Sequence, residues 1–525
     1  MSQQKSKTPL SGANLVAAGI LLSRVSGLIR ERVFAHYFGN SDPGDAFKAA
    51  LKIPNFLQNL FGEGVLSASF IPVYAGLLAQ GAEEEAGKVA GAIASILALL
   101  VSFLVLAGVF ATPLLIDLIA PGFHDEKREL TIRLVQIFFP GTGLLVMSAW
   151  CLGILNSHRK FFLSYAAPVL WNFAIIGALV IFGGRMAQSN LAITAAWGLV
   201  VGSALQFGSQ LPVALKLIKG FRPNLAVQLK SVQMVITNFL PVVVSRGVVQ
   251  VSAYIDSVLA SFLPTGAVSS LAYAQTIYLL PISLFGMSIS AAELPHMSSA
   301  SGTAEEISTF LRGRVDSALR QIAFFVTPSI VAFAVLGDVV VSAIFQSGAF
   351  TRDNTLYVWG VLAGSTIGLL SATMGRIYSS AFYALKDTRT PLRFAVIRVV
   401  LTTILGLIFA LYLPKVLGLS PSWGTAGLTS SAGLAGWVEF LLLRRGMNRK
   451  IGRTGIQVSL QIRLWASALG AGVVGYGIKI GLGHRHPIVD AAIILGAFGM
   501  IYFAATLAFG ISEARGVFNR IRRRR

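Results

Sequence analysis

The sequence predicts an all-α polytopic membrane protein of about fourteen transmembrane helices: two six-helix lobes in a parallel pseudo-twofold repeat, followed by two extra C-terminal helices. Three observations carry that expectation. Of 525 residues, 54% are hydrophobic and 12% charged, about half the roughly 25% charged content of soluble domains, and the mean hydropathy is +0.71. The apolar residues are gathered into long segments separated by short polar turns. The 43 Lys and Arg residues, which give a net charge of +21, are shared unequally between alternate turns.

A spanning helix needs about 20 mostly apolar residues. Segments of that kind run over 11–36, 45–78, 88–118, 130–156, 161–184, 190–217, 232–262, 266–297, 315–345, 354–385, 391–413, 420–443, 460–481 and 487–511. Backbone groups in hydrocarbon must be satisfied internally, so these are helices rather than strands. The first is too long and too charged for a cleavable signal peptide. Pro54, Pro72, Pro140, Pro241, Pro281, Pro295 and Pro328 lie within spans. Each deletes a helix hydrogen bond and bends the chain, as a hinge or as static curvature.

Cytoplasmic loops of membrane proteins carry an excess of Lys and Arg. Here the odd-numbered loops hold only Lys127, Arg128, Arg185, Arg352, Lys415, Lys479 and Arg485. Most of the others fall in the N-terminus, the even-numbered loops and the C-terminus, among them Arg159, Lys160, Lys216, Lys219, Arg222, Lys230, Arg444, Arg445, Arg449, Lys450 and the run Arg522 to Arg525. Both termini are therefore expected in the cytoplasm, which requires an even number of spans. The terminal arginines then fix topology and touch anionic membrane lipids rather than nucleic acid.

The chain also resembles itself at an offset of about 225 residues. Phe61-Gly62, Ser67 and Pro72 are echoed by Phe285-Gly286, Ser290 and Pro295. Pro121-Gly122-Phe123 is echoed by Ser347-Gly348-Ala349-Phe350, and Ser157-His158-Arg159-Lys160 by Lys386-Asp387-Thr388-Arg389. The offset is six helices, an even number, so the copies share an orientation, as in many secondary transporters. The expected domains are 1–225 and 226–450, two lobes with a cleft between them, and 451–525, two further helices with a basic tail.

Nine basic residues fall inside the spans: Arg24, Arg30, Arg32, Lys48, Lys52, Arg133, Arg246, Arg376 and Arg398. Each costs at least about 2.5–3.5 kcal/mol at a helix centre. Arg32, Arg133 and Arg398 are placed to snorkel. In the second segment Asp45, Lys48, Lys52, Asn55 and Asn59 recur at spacings of 3, 4, 3 and 4, which puts them on one face. A polar stripe of that length lines a wet cavity or packs on protein as a salt-bridge network. Arg24 and Glu31 are seven apart and share a face, with Arg30 about 120° round. Asp256, in the seventh segment, reads as an ion or proton site or as a partner of Arg246, about 15 Å along the axis.

A single cysteine, Cys151, excludes an intrachain disulfide or a thiolate metal cluster. No Walker loop, GxSxG elbow or HExxH motif occurs, so neither an enzyme nor a bound cofactor is expected. Energy for transport must come from the membrane potential, a cation gradient or a partner. A cationic cavity suits a phosphate or pyrophosphate, which arginine binds bidentately and lysine as a point charge.

The run Ser23-Arg24-Val25-Ser26-Gly27-Leu28-Ile29-Arg30-Glu31, followed by Phe38-Gly39, Asp45-Ala46-Phe47, Lys52-Ile53-Pro54-Asn55, Phe61-Gly62-Glu63-Gly64 and Phe70-Ile71-Pro72, resembles the MurJ (MviN) lipid II flippases. These belong to the multidrug/oligosaccharidyl-lipid/polysaccharide exporter superfamily. The Ala120-Pro121-Gly122-Phe123 turn and the surroundings of Pro212 and Pro391 are similar too. The resemblance implies a multi-pass protein of the bacterial inner membrane. It would carry lipid II, the undecaprenyl-pyrophosphate-linked peptidoglycan precursor, to the outer leaflet by alternating access, with the cell-wall synthesis machinery as partner. It places Arg24, Arg30 and Asp45 in the central cavity and Glu31, Lys52 and Glu63 at further polar positions, and it matches the last two helices to a lipid-tail groove. Lys48 and Asn55 join the candidate substrate-binding set from the stripe, and Asp256 fits a coupling-ion position.

Two departures stand out. Many members carry arginines where this chain has Gln58 and Asn59, and an Ala-Asp-Arg run where it reads Ala274-Gln275-Thr276. The alternatives are therefore an exporter of another polyprenyl-pyrophosphate glycan or other substrate, or a transport-inactive scaffold.

Overall fold

The computed structural model describes residues 12–482 and 486–522. Lys5, Lys7, His484, Arg485 and Arg523 to Arg525, and the side chains of Glu63, Arg246 and Arg522, lie outside the described residues. The described chain is helical, and it divides into two compact units, Met1–Phe262 and Leu263–Arg525.

The first unit contains α1 (Gly12–Phe38), α2 (Asp42–Ala50), α3 (Lys52–Phe61), α4 (Glu63–Ala79), α5 (Glu83–Ile119), α6 (Asp125–Ser157), α7 (Phe161–Ala166), α8 (Pro168–Phe182), α9 (Gln188–Leu217) and α10 (Lys230–Ser261). The second segment, expected as one helix, is divided into α2, α3 and α4. Pro54 explains the first break: it cannot donate to the Ala50 carbonyl and its ring crowds that group, so the helix turns at Leu51. The second break is at Gly62, where an added Cβ would lie 2.2 Å from the Gln58 carbonyl oxygen. A larger residue there would have to displace that carbonyl. Ser41 starts α2 by accepting from the Gly44 N–H at 3.3 Å, with Asp42 and Asp45 in the first turn, where carboxylates favour a helix N-terminus. The core is aromatic: Phe34 stacks on Phe38, and Phe47 meets Phe138 edge-on. Outside, Leu99, Phe103, Leu106, Phe110, Leu114 and Leu118 of α5 form an exposed apolar stripe at helical spacing, a face suited to lipid.

The second unit contains α11 (Ala267–Pro281), α12 (Ser288–Ser298), α13 (Ala304–Val335), α14 (Gly337–Phe345), α15 (Arg352–Ala384), α16 (Arg389–Leu407), α17 (Leu413–Val416), α18 (Gly424–Ile451), α19 (Val458–Gly481), α20 (Pro487–Ala508) and α21 (Ser512–Arg522). A π-helical stretch, Ile282–Met287, joins α11 to α12. A second, Ile408–Tyr412, contains Ala410, whose carbonyl Pro414 leaves without its helical donor. The α15–α18 contact is built on glycine: a Cβ on Gly368 would lie 2.7 Å from the Gly433 Cα, the close backbone approach that small residues permit between membrane helices. The last two spans pack on this unit, α19 on α13 and α20 on α14.

The first echoed pair differs in local structure: Phe61 ends α3 and Gly62 caps it, whereas Phe285-Gly286 lies within the π-helical stretch. The basic loops after α6 and α15 each hold one non-glycine residue in the left-handed region, Arg159 at φ 58° and Lys386 at φ 59°. Twelve helices among the described residues are long and apolar enough to cross a membrane, against the fourteen expected. The two segments outside that count are α1 and α10. They have 27 and 32 residues, ample for a bilayer core of about 30 Å at 1.5 Å per residue, but α1 carries Arg24, Arg30, Glu31 and Arg32.

Candidate substrate-binding site

The intramembrane charges of the first unit sort into three groups. The first is a buried triad. Glu31 accepts from Arg30 Nη2 at 2.7 Å and from Lys48 Nζ at 2.5 Å. Arg30 also donates through Nη1 to Asn172 Oδ1 at 3.0 Å and lies over the Trp171 ring at 4.7 Å. Asn172 in turn donates to Ser26 Oγ at 2.8 Å. Lys48 sits over the Phe34 ring at 4.2 Å. One carboxylate thus holds two cations, and each cation also faces an aromatic ring, the arrangement that lowers the cost of burying charge.

The second group is a bridge. Lys127, counted in the sequence only as a loop charge, donates to Asp42 Oδ1 and Asp45 Oδ2 at 2.8 Å each and lies 4.3 Å from the Phe123 ring. Asp45 is 1% exposed, so this lysine ties the start of α2 to the start of α6. The third group surrounds Lys52. Its ammonium donates to Ser257 Oγ, Tyr254 donates to its carbonyl oxygen at 2.7 Å, and Asp256 acts on it electrostatically. The carboxylate read as an ion site therefore shares its surroundings with a lysine.

The stripe on the second segment is accordingly split. Asp45, Lys48 and Lys52 face protein, whereas Asn55 and Asn59 are exposed. Phe47, on another face of α2, is packed among aromatic rings.

Arg24 is set apart from these groups. It is exposed and lines a cavity of about 240 Å³ within the first unit, with Gln58, Ser148, Ser164, Tyr165 and Gln206. The angular separation of Arg24 and Arg30 on α1 is thus realised as a division: Arg30 is turned into the α8 packing, and Arg24 toward a polar recess. Asn172, Trp171, Ser148 and Gln206 were not singled out in the sequence. They are single polar or aromatic residues in apolar helices, and no local spacing marks them. In the second unit Arg398 pairs with Glu439 at 3.2 Å, Arg376 is exposed, and Thr276 bonds back to the Ala272 carbonyl at 3.0 Å.

The fold defines a class of multi-pass helical transporters. It matches an inward-facing multidrug resistance MATE transporter of the MOP superfamily at a TM-score of 0.64 and 16% identity, over 83% of this chain and 98% of that one, a likeness of fold alone. A solved lipid II flippase MurJ in an inward closed conformation matches at a TM-score of 0.77 and 25% identity, over 94% of this chain and 98% of that one. The family model for lipid II flippase MurJ covers residues 34–486. The lipid II flippase MurJ of Burkholderia cenocepacia is 30% identical over 443 residues, 83% of each chain. The probable lipid II flippase MurJ of Bdellovibrio bacteriovorus is 29% identical over 532 residues, 98% of this chain and 97% of that one. The chain belongs to the lipid II flippase MurJ family.

Proposed function

We propose that this protein carries a polyprenyl-pyrophosphate-linked peptidoglycan precursor, lipid II, from the cytoplasmic to the outer leaflet of the bacterial inner membrane. The observation that carries the reading is the position of Arg24. It is an exposed cation on a membrane helix and lines a polar recess. An arginine lining such a recess suits a pyrophosphate, because a guanidinium contacts two phosphate oxygens at once. Arg24 is the contact residue in this reading. Arg30, Glu31, Lys48 and Asp45 are positioning residues that hold α1 and α2, Lys52 holds the start of α3 against Ser257 and Tyr254, and Asn55 is an exposed polar residue beyond it. The protein acts as a carrier rather than an enzyme.

The rest of the reading follows from the sequence. The charge asymmetry between loops supports cytoplasmic termini and fourteen spans. The internal repeat supports alternating access with 1–225 and 226–450 as the moving bodies and 451–525 outside them. No cofactor is invoked. The membrane potential or a cation gradient drives the cycle, with Asp256 as the candidate ion residue, and the cell-wall synthesis machinery is the partner that consumes the product.

The test is replacement. In a bacterium depleted of its own flippase, this protein should restore growth, and Arg24→Ala should not, at equal membrane levels. A second reading, transport of another polyprenyl-pyrophosphate glycan, draws on Gln58 and Thr276, neutral where the resemblance to the family implies arginine. Growth restored only in a strain lacking such a different glycan would favour it.

A further inference from the structure

The recess that Arg24 lines is also lined by Gln206 and Ser148, which belong to a chain of neutral polar groups that nothing above uses. Gln206 Nε2, on α9, donates to Ser148 Oγ, on α6, at 3.0 Å, and Ser148 Oγ donates to Gln210 Oε1 at 2.6 Å. All three residues are buried, Gln210 completely. Gln210 Nε2 has no hydrogen-bond partner among the described residues. Gln210 is not part of the recess lining; it acts there through Ser148, whose hydroxyl it accepts. Gln206 spends one N–H on Ser148, which leaves its carbonyl oxygen and second N–H for a ligand in the recess.

The recess is small. At about 240 Å³ it falls below the roughly 300 Å³ at which sites enclose whole drug-sized ligands, so it takes one group of a larger substrate. Its lining combines one cation, Arg24, with uncharged amides and hydroxyls from Gln58, Ser148, Ser164, Tyr165 and Gln206. A neutral donor–acceptor array discriminates through groups that would otherwise be left unpaired, and it rejects analogues that lack the matching hydroxyl or amide.

We propose that Gln206 and Ser148, backed by Gln210, form a subsite for the hydroxyl- and acetamido-bearing sugar that adjoins the pyrophosphate at Arg24. This rests on the reading of Arg24 as the pyrophosphate contact. Gln206 is the specificity residue, and Ser148 and Gln210 set its amide orientation.

The experiment titrates the full-length protein in nanodiscs with three probes: polyprenyl pyrophosphate alone, the same lipid bearing one N-acetylated sugar, and the sugar-bearing lipid with its peptide. Gln206→Leu and Ser148→Ala should each weaken the two sugar-bearing probes about tenfold, the scale of one lost hydrogen bond, and leave the sugar-free lipid unchanged. Arg24→Ala should weaken all three. Equal losses on all probes in the Gln206 and Ser148 variants would make the array structural and overturn the proposal. So would losses confined to the peptide-bearing probe, or no loss at all. If Arg24→Ala left every affinity intact, the anchor reading would fail while a sugar-selective effect of Gln206→Leu still stood.

Discussion

Removing the Glu31 carboxylate should be the most damaging conservative change in the first unit. Glu31→Gln keeps the side-chain volume but deletes the charge that Arg30 and Lys48 share at 2.7 and 2.5 Å. Two cations would then face each other beside the Phe34 and Trp171 rings. Breaking a buried ion pair from one side costs about 3–5 kcal/mol, because the partner charge is left uncompensated. Arg30 keeps Asn172 and its ring contact, which puts the expected loss at the lower end of that range. The assay is the midpoint of heat-induced loss of the monodisperse peak in detergent, compared with Glu31→Gln/Lys48→Met. That double variant removes the second uncompensated cation as well and should recover most of the loss, since buried ion pairs exchange with apolar pairs at little cost. A Glu31→Gln protein as heat-stable as the parent, or a double variant no better than the single one, would refute the triad as a mutually dependent unit.

The other predictions are simpler to state. Arg24→Ala should weaken pyrophosphate-lipid binding about tenfold to a hundredfold, one charge-assisted hydrogen bond being worth about 1.5–3 kcal/mol. Arg24→Lys should recover only part of that affinity, because a point charge cannot contact two oxygens at once. Cysteines at Asn55 and Asn59 should react with a small water-soluble thiol reagent, whereas cysteines at Asp45 and Lys48 should not; uniform labelling would contradict the split of the stripe. Asp387, in the loop between α15 and α16, accepts from Lys450 and from the Thr390 N–H at 2.8 and 3.0 Å, which hold its carboxyl at about 2, below its ordinary 3.8. A depressed carboxyl stabilises the fold above its unfolded value, so the stability difference between the parent and Asp387→Asn should be constant from neutral pH down to about 4 and shrink as pH falls toward 2. A difference that grew on acidification would contradict the assigned partners.

Much of the architecture was legible because its cause is local. Length and apolarity mark a span without reference to the rest of the chain, and the Pro-Gly punctuation around Pro54 and Gly62 lies at the breaks in the second segment. The spacing of Asp45, Lys48 and Lys52 marked residues that all face protein, but the break at Leu51 and their different partners divide them among three groups. Their partners were not legible, since Lys127, Ser257 and, for Arg30, Asn172 come from distant helices. A helical period says which way a charge points and nothing about what meets it. For the same reason Arg24 and Arg30 looked equivalent as costly cations until Trp171 and Asn172 were found facing one of them. The polar wall of Gln206, Ser148 and Gln210 had no sequence signal, because isolated amides and hydroxyls in apolar helices occur wherever two helices bond across a contact.

The central claim is that this chain moves a pyrophosphate-linked lipid across the bilayer through a path that includes Arg24. It is tested most directly by precursor accessibility in cells depleted of their own flippase. The readout is cleavage of the accumulated lipid by a membrane-impermeant pyrophosphate-cleaving enzyme added outside. With this protein present the lipid should become cleavable, and with Arg24→Ala, at equal membrane levels, it should stay protected. A lipid that remained protected with the intact protein in the membrane would contradict transport, and one cleaved equally in the Arg24→Ala cells would contradict the assigned path.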